Sequence, residues 1–197
     1  MIPAGTFALP GPAWRWALNQ IDVHGKEVLT EDGQRTKEIE NLILKVEAPL
    51  AGWPIKDSGW GLPALDVYVQ DQILGDANRT GFSYTYGERI KPQLEGLIKH
   101  LRDEPTTRRA VISIWLPGDY DKEHPPCWMT LDFLRRSEQL NLTAFIRSND
   151  IGQAWPQNFY GLAKLLEYVA DGIGVETGSI MTHSVSAHIY LDAEAPA

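Results

Sequence analysis

The chain has 197 residues, enough for one domain to bury most of its apolar surface, and its 43% hydrophobic and 22% charged residues are ordinary globular usage. Its 18 basic and 26 acidic residues leave a formal net charge of -8, which argues against a broad phosphate-binding face for duplex nucleic acid. A single cysteine cannot close an internal disulfide, and neither a charged-then-apolar leader nor an apolar run of about 18 residues is visible. The expectation is a single cytoplasmic domain over residues 1–197 that does not span a membrane.

The Pro-rich start MIPAGTFALPGP and the small-residue end AEAPA read as loosely held termini. AWRWALNQIDVHG reads as a first helix, and EDGQRT follows as a turn. IENLILKVEAP is alternating and β-branched enough for a strand closed by Pro49, and LAGWPIKDSGWGLP is then a loop anchored by its tryptophans. Pro63 suits the first turn of a helix over ALDVYVQDQILG, with Gly75 as its stop. PQLEGLIKHLRDEP places Leu94, Leu97, Ile98 and Leu101 at helical spacing and ends at Pro105. RRAVISIWLP, CWMTLDFLRR and QLNLTAFIRSND read as strands, the last two joined as a hairpin through RRSEQ. NFYGLAKLLEYVADGIG is the clearest helix, with Leu162, Leu165, Leu166 and Val169 on one stripe and glycines at its end. GSIMTHSVSAHIYLD supplies a last strand, so the fold class is α/β (α+β) with a mixed sheet.

HPPCWMT contains the lone cysteine, Cys127. Free cysteine is among the most buried residue types, so a small core filler is one reading. A nucleophile is the other, because Pro125 and Pro126 fix the backbone and hold the thiol rigidly at a strand start. Attack by the thiolate then needs positive charge nearby to lower a pKa of about 8.5. Arg108 and Arg109 open one strand, Arg147 ends another, and Arg35 lies in the turn GQRT; the planar fork of arginine suits phosphate. Adjacent strand residues point to opposite faces, so Arg108 and Arg109 reach one site only across a bend or a subunit boundary, and a solvated strand start also accounts for them. Asn158 is either a helix cap or an amide that offers a donor and an acceptor to the edge of a pyrimidine. His188 and Tyr190 share a strand face, as a half-buried aromatic pair or as contacts to a ribose hydroxyl. Asp150 is a turn residue or an acceptor for a ring nitrogen.

Taken in order, QRTKE, YTYGERI, LRDEPTTRRAVISIW, PPCW, FIRSNDIGQAWPQNFYGLAKLLEYVA and SVSAHIY resemble the thymidylate synthase family, from about residue 30 to residue 192. The wording of YTYGERI, RSNDIGQAWP and SAHIY is most similar to its compact archaeal, methanogen-type branch. The resemblance implies a large mixed sheet flanked by helices and a homodimer formed by packing two such sheets back to back. It implies reductive methylation of dUMP to dTMP by a methylene-carrying reduced pterin, without a metal. In that reaction Cys127 would add to C6 of the uracil and activate C5. By position, Arg35, Arg147 and Ser148 match phosphate contacts from the same subunit, and Arg108 with Arg109 match contacts that reach the partner's site. Asn158 matches the pyrimidine reader, and His188 with Tyr190 the contacts to the deoxyribose hydroxyl. Asp150 matches a contact to the pterin ring, and Tyr86 a tyrosine that orders water near the reacting carbon.

Two positions depart from the pattern of bacterial and eukaryotic members. Trp128 stands where they carry a histidine, and ALDVYVQDQIL offers only Asp66 and Asp71 in place of a helix glutamate that acts through water. The stretch before Tyr86 is short and no closing tail follows HIYLDAEAPA, so the donor implied is either 5,10-methylenetetrahydrofolate or methylene-tetrahydromethanopterin. A pyrimidine nucleotide hydroxymethylase would share the cysteine addition but let water quench the intermediate. Members acting on dCMP carry an aspartate at the reader position, so Asn158 favours uracil. A nucleotide-binding regulatory protein that has lost turnover is the reading from another class, motivated by the missing glutamate.

Overall fold

A computed structural model describes residues 2–75 and 84–192. Its strands are β1 (Ala4–Phe7), β2 (Lys26–Leu29), β3 (Arg35–Val46), β4 (Val111–Ser113), β5 (Trp128–Arg136), β6 (Gln139–Asp150) and β7 (Glu176–Tyr190). Its helices are α1 (Pro10–His24), α2 (Leu62–Tyr68), α3 (Tyr86–Asp103) and α4 (Trp155–Ile173), and α2 runs on as a π turn over Val69–Ile73.

The seven strands form one mixed sheet in the order β1-β3-β7-β6-β5-β4, with β2 paired beside β1 on the edge of β3. β6 and β7 run parallel, with α4 as the crossover between them, while β5 with β6 and β3 with β7 are antiparallel. Strand alternation then sorts the faces. Val46, Ile180, Leu142 and Phe133 lie side by side across four strands and are buried, as are Leu44, Thr182, Ala144 and Leu131. The next row, Ile43, His183, Phe145 and Thr130, points the other way and is half-buried. The core face is covered by helices: Ala13, Ala17 and Ile21 of α1, Leu94, Leu97 and Leu101 of α3, and Leu162, Leu165, Leu166 and Val169 of α4 are all buried in the same cluster. The helical stripes read from the sequence are therefore the faces that meet the sheet.

Several expectations are corrected. The N-terminal stretch is held, because β1 pairs parallel with β3 and the Ile43 N–H donates to the Pro3 carbonyl at 2.9 Å. A four-residue strand carries too little periodicity to be seen without its partner. α3 begins at Tyr86 rather than at Pro92, which sits exposed inside it. The earlier start comes from a capping box: the Glu88 N–H donates to Thr85 Oγ1 at 3.1 Å, and the Thr85 N–H donates to Glu88 Oε2 at 3.1 Å. Pro92 removes one backbone bond on the wet side of the helix, where water can replace it. Gly87, in the same turn, permits a close approach to the end of the π turn, since a Cβ there would lie 2.1 Å from the Gly75 carbonyl oxygen. The start of the stretch before Tyr86 and the C-terminal AEAPA lie outside the described residues.

Replacing Thr85 by Ala removes one half of the capping box. Thermal unfolding should show a loss of about 1 kcal/mol, read as a fall in Tm of about 2–4 °C.

Candidate active site

The strand directions bring most of the candidate residues to one end of the sheet. β5 and β3 begin there and β6 and β7 end there, as the pairs Trp128↔Ile146, Asp150↔His188 and Thr36↔Tyr190 show. With strands about 4.8 Å apart, Cys127, the β6 end, the β7 end and Arg35 form a row roughly 15 Å across.

Cys127 is half-buried on the residue before β5. Arg147 fixes it. The Arg147 N–H donates to the Cys127 carbonyl at 2.9 Å, its Nε donates to the Pro126 carbonyl at 2.9 Å, and its Nη2 donates to the Pro125 carbonyl at 2.8 Å. The prolines offer no donors, so their carbonyls need an outside partner, and the guanidinium fork meets both. The same guanidinium lies 5.6 Å from the centroid of the Trp115 ring. Burial pushes the Cys127 thiol above its ordinary value; Arg147 draws it down and Asp150 pushes it further up. The unliganded site therefore holds a thiol rather than a thiolate at neutral pH.

Behind Cys127, Trp128 is fully buried and Tyr86 stacks on it, with ring centroids 4.1 Å apart and planes 16° from parallel. Trp128 Nε1 has no partner among the described residues. The residue after the cysteine is thus core, holding Tyr86 from below, and is not a polar group facing the site. Burial first, and the neighbouring Cys127 next, keep the Tyr86 phenol well above its usual pKa, so its hydroxyl stays protonated. Tyr84 is pushed up to about 12, by burial and then by Cys127. Arg89 lies over the Tyr84 ring and donates to the Ile114 carbonyl at 3.1 Å and to Asp119 Oδ1 at 2.9 Å. Asp119 also accepts from the Leu116 N–H at 2.7 Å. Burial alone would raise Asp119, but these bonds outweigh it and hold its carboxyl far below the usual range. The pair ties the start of α3 to the loop that delivers Pro125 and Pro126.

On β6, Ser148 sits opposite Ser186 of β7 and is half-buried. Asp150 Oδ1 accepts from the N–H groups of Gly152 at 2.9 Å and Gln153 at 3.1 Å, which is the turn role open from the sequence. Burial raises its pKa, against those N–H bonds and His188. His188 is buried and meets Tyr190 edge to face, with centroids 5.2 Å apart. Burial lowers the His188 pKa, while Asp150 and Glu38 raise it; the net shift is downward, so the imidazole is neutral near pH 7. Ser186 links the two, donating to the Glu38 carboxylate and standing 3.4 Å from His188 Nδ1.

Asn158 is not a cap. α4 starts at Trp155, its cap position is Ala154, and the Asn158 side chain instead accepts a hydrogen bond from the Tyr68 hydroxyl at 2.6 Å. Tyr68 in turn feels Cys127 and Tyr84, so Asn158 joins the cluster through it. Of the acids in that helix, Asp66 accepts from the Tyr160 hydroxyl at 2.7 Å and latches α2 to α4, and Asp71 is buried in the π turn with a partner.

The remaining arginines differ from expectation. Arg35 opens β3 rather than sitting in the turn, is exposed, and pairs with Glu27 at 2.9 Å and Asp192 at 3.7 Å. Arg108 and Arg109 are exposed in the loop before β4, not on the strand. The Phe133 N–H donates to the Ala110 carbonyl, which puts that loop beside the far part of β5, roughly 20 Å along the strand from Cys127. Within one chain the structure gathers Cys127, Tyr86, Arg147, Ser148, Asp150, Asn158, His188 and Tyr190, leaves Arg35 at the margin, and separates Arg108 and Arg109 from the rest. Sequence reading missed Tyr68, Tyr84, Arg89, Trp115 and Asp119; Tyr84 and Arg89 lie inside YTYGERI and Trp115 ends LRDEPTTRRAVISIW, but Tyr68 and Asp119 carry no local signal. Among the described residues no group of three or more His, Cys, Asp or Glu side chains is arranged to hold a metal ion, and no helix is long and apolar enough to cross a membrane.

The fold is a mixed sheet flanked by helices that presents a half-buried cysteine beside an arginine at one end. Comparison with known proteins makes the class specific. The family described as Thymidylate synthase matches residues 68–195. Similar proteins named "Putative thymidylate synthase" include one of Methanosarcina mazei, 40% identical over 185 residues that cover 90% of this chain and 85% of the relative. Another, of Methanothermobacter thermautotrophicus, is 34% identical, covering 90% of this chain and 88% of the relative. A third, of Methanocaldococcus jannaschii, is 31% identical, covering 92% and 88%. The chain belongs to the thymidylate synthase family and is an enzyme of the methyltransferase type.

The thiol's surroundings set a pH test. Iodoacetamide labelling of the unliganded protein, followed against pH, should give a Cys127 midpoint above the ordinary thiol value. Arg147→Ala should move it higher and Asp150→Asn lower, since the first removes a stabilising cation and the second a destabilising anion.

Proposed function

We propose that this protein is a thymidylate synthase, converting dUMP to dTMP with a methylene-carrying reduced pterin as co-substrate. The observation that supports this reading best is Cys127, delivered on the diproline that Arg147 clamps, beside Tyr86 and at the sheet end that also carries Asp150, His188 and Tyr190, with Asn158 joined through Tyr68. Each side chain has a task that its chemistry suits. Arg147 has used only two of its five donors on the prolines, and with Ser148 and Arg35 it meets the phosphate. Asn158 reads the uracil edge, and His188 with Tyr190 binds the deoxyribose hydroxyl. Tyr86 holds water near the reacting carbon, and the Asp150 carboxyl meets the pterin ring.

The Cys127 thiolate adds to C6, making C5 nucleophilic toward the methylene carbon. Loss of the C5 proton and hydride transfer from the reduced pterin complete the methyl group, expel the cysteine and leave a dihydropterin. Asn158 stabilises the charge that develops on the base. Arg147 is the cation beside the sulfur that favours the thiolate for this step. Tetrahydromethanopterin and tetrahydrofolate both supply this chemistry. The donor is either methylene-tetrahydromethanopterin or 5,10-methylenetetrahydrofolate, and the two are the arms of the test.

The working unit we propose is a cytoplasmic homodimer of single-domain chains. Among the described residues Arg108 and Arg109 have no ion-pair partner, they stand roughly 20 Å from their own Cys127, and the half-buried sheet face with Ile43, His183 and Phe145 is turned away from the helices. Packing two such faces together carries the arginine pair into the partner's site.

Purified protein incubated with dUMP and each methylene pterin should yield dTMP by mass spectrometry, and hydroxymethyl product alone would replace the synthase reading with that of a hydroxymethylase. Mixing an Arg108→Ala, Arg109→Ala protein with a Cys127→Ser protein, each inactive alone, should restore about a quarter of wild-type activity, since half the dimers are hybrids with one intact site. Proven hybrids that stay inactive would refute shared sites.

A further inference from the structure

Building on the thymidylate synthase reading, we infer that Tyr68 is a positioning residue that fixes the amide of Asn158 in one orientation and thereby selects uracil over cytosine. An asparagine amide presents an acceptor, Oδ1, and a donor, Nδ2, that exchange places when it flips. Uracil shows a donor at N3 and an acceptor at O4, whereas cytosine shows an acceptor and an amino donor at the same places. A reader free to flip therefore suits both bases.

The structure closes that freedom. The Tyr68 hydroxyl donates to Asn158 Oδ1 at 2.6 Å, and among the described residues it has no other hydrogen-bond partner. One lone pair of Oδ1 remains for the uracil N3–H, and Nδ2 is left to donate to O4. In the flipped amide Nδ2 would face the phenol, whose hydrogen would then lack an acceptor in a buried place. Burial keeps the phenol protonated far above its usual range, with Tyr84 and Cys127 adding to the effect, so the donor persists at any working pH.

The contact is built by several parts of the chain. Tyr68 is the last residue of α2, and the helix opens there into the π turn, where the Leu74 N–H reaches the Val69 carbonyl at 2.9 Å. Gly161 lies on the same face of α4 as Asn158, and a Cβ there would stand 2.9 Å from Ile73 Cγ1 and 3.3 Å from Tyr68 Cε1. The glycine thus makes the space in which the Tyr68 ring lies. Tyr160 and Asp66 latch the same two helices at 2.7 Å. The helix that offers no glutamate presents a neutral phenol to the pyrimidine reader instead.

The test measures dUMP and dCMP binding by calorimetry to the full chain without pterin, so that no turnover intervenes. The wild type should prefer dUMP, and Tyr68→Phe should lower the dUMP-to-dCMP affinity ratio roughly tenfold while circular dichroism stays unchanged. Gly161→Ala, which keeps the hydroxyl but displaces it, should lower the ratio in the same direction. A ratio that stays constant in both variants, including equal weakening of both nucleotides, overturns the role of Tyr68. A wild type with no preference for dUMP overturns the functional reading itself, and the inference with it.

Discussion

The geometry of this site depends on the bonds from Arg147 to the backbone at Pro125, Pro126 and Cys127. A diproline is stiff but leaves two carbonyls to be satisfied, and an arginine fork from the neighbouring strand satisfies them while extending the β5–β6 ladder to the cysteine itself. The bonds decide two things together. They set where the sulfur stands, and they bring the one cation that acts to lower its pKa to the same place. A lysine would supply the charge but not the planar pair of donors.

Around that clamp the aromatic residues do most of the arranging. Trp128 turns into the core because strand residues alternate, and Tyr86 stacks on it at the first residue of α3. The capping box at Thr85 and the Arg89–Asp119 ion pair hold that helix start against the loop leading to the prolines. Asn158 occupies the first turn of α4, so both helices aim their N-termini toward the sheet end where Cys127 lies. The tyrosines nearest the sulfur are all raised in pKa by burial, which makes the surroundings of the thiol rich in neutral donors and poor in bases.

Charge is distributed unevenly along the same sheet. Arg147 stands at the end with the cysteine, while Arg108 and Arg109 stand in the loop beside the far part of β5 with no ion-pair partner among the described residues. Antiparallel pairing fixes that separation, because the loop before β4 must lie beside the middle and end of β5 rather than its start. The proposed dimer turns this separation into use, since a second sheet packed on the half-buried face is the way one chain's far end meets another's near end.

Much of the architecture was legible in the sequence because it is encoded over a few residues. The stripe on α4, the strand QLNLTAFIRSND that matches β6 from Gln139 to Asp150, and the hairpin at RRSEQ all follow from periodicity and turn chemistry. Cys127, Arg147, Asp150, His188 and Tyr190 were legible as chemistry held at strand ends. What local pattern does not carry is pairing at a distance. β1 needs β3 to exist as a strand, and a cap stays open as one of two readings of Asn158 until its amide is seen to accept from Tyr68, 90 residues away. Arg108 and Arg109 read as a strand start until the pairing of β4 with β5 puts them in a loop away from their own Cys127. The sequence by itself determined the elements, the lone cysteine behind its diproline and the family resemblance, since each rests on neighbours along the chain. Only the tertiary structure decided what Trp128 and Tyr68 meet and where the arginine pair stands, because contacts between distant residues are made in space and not along the chain.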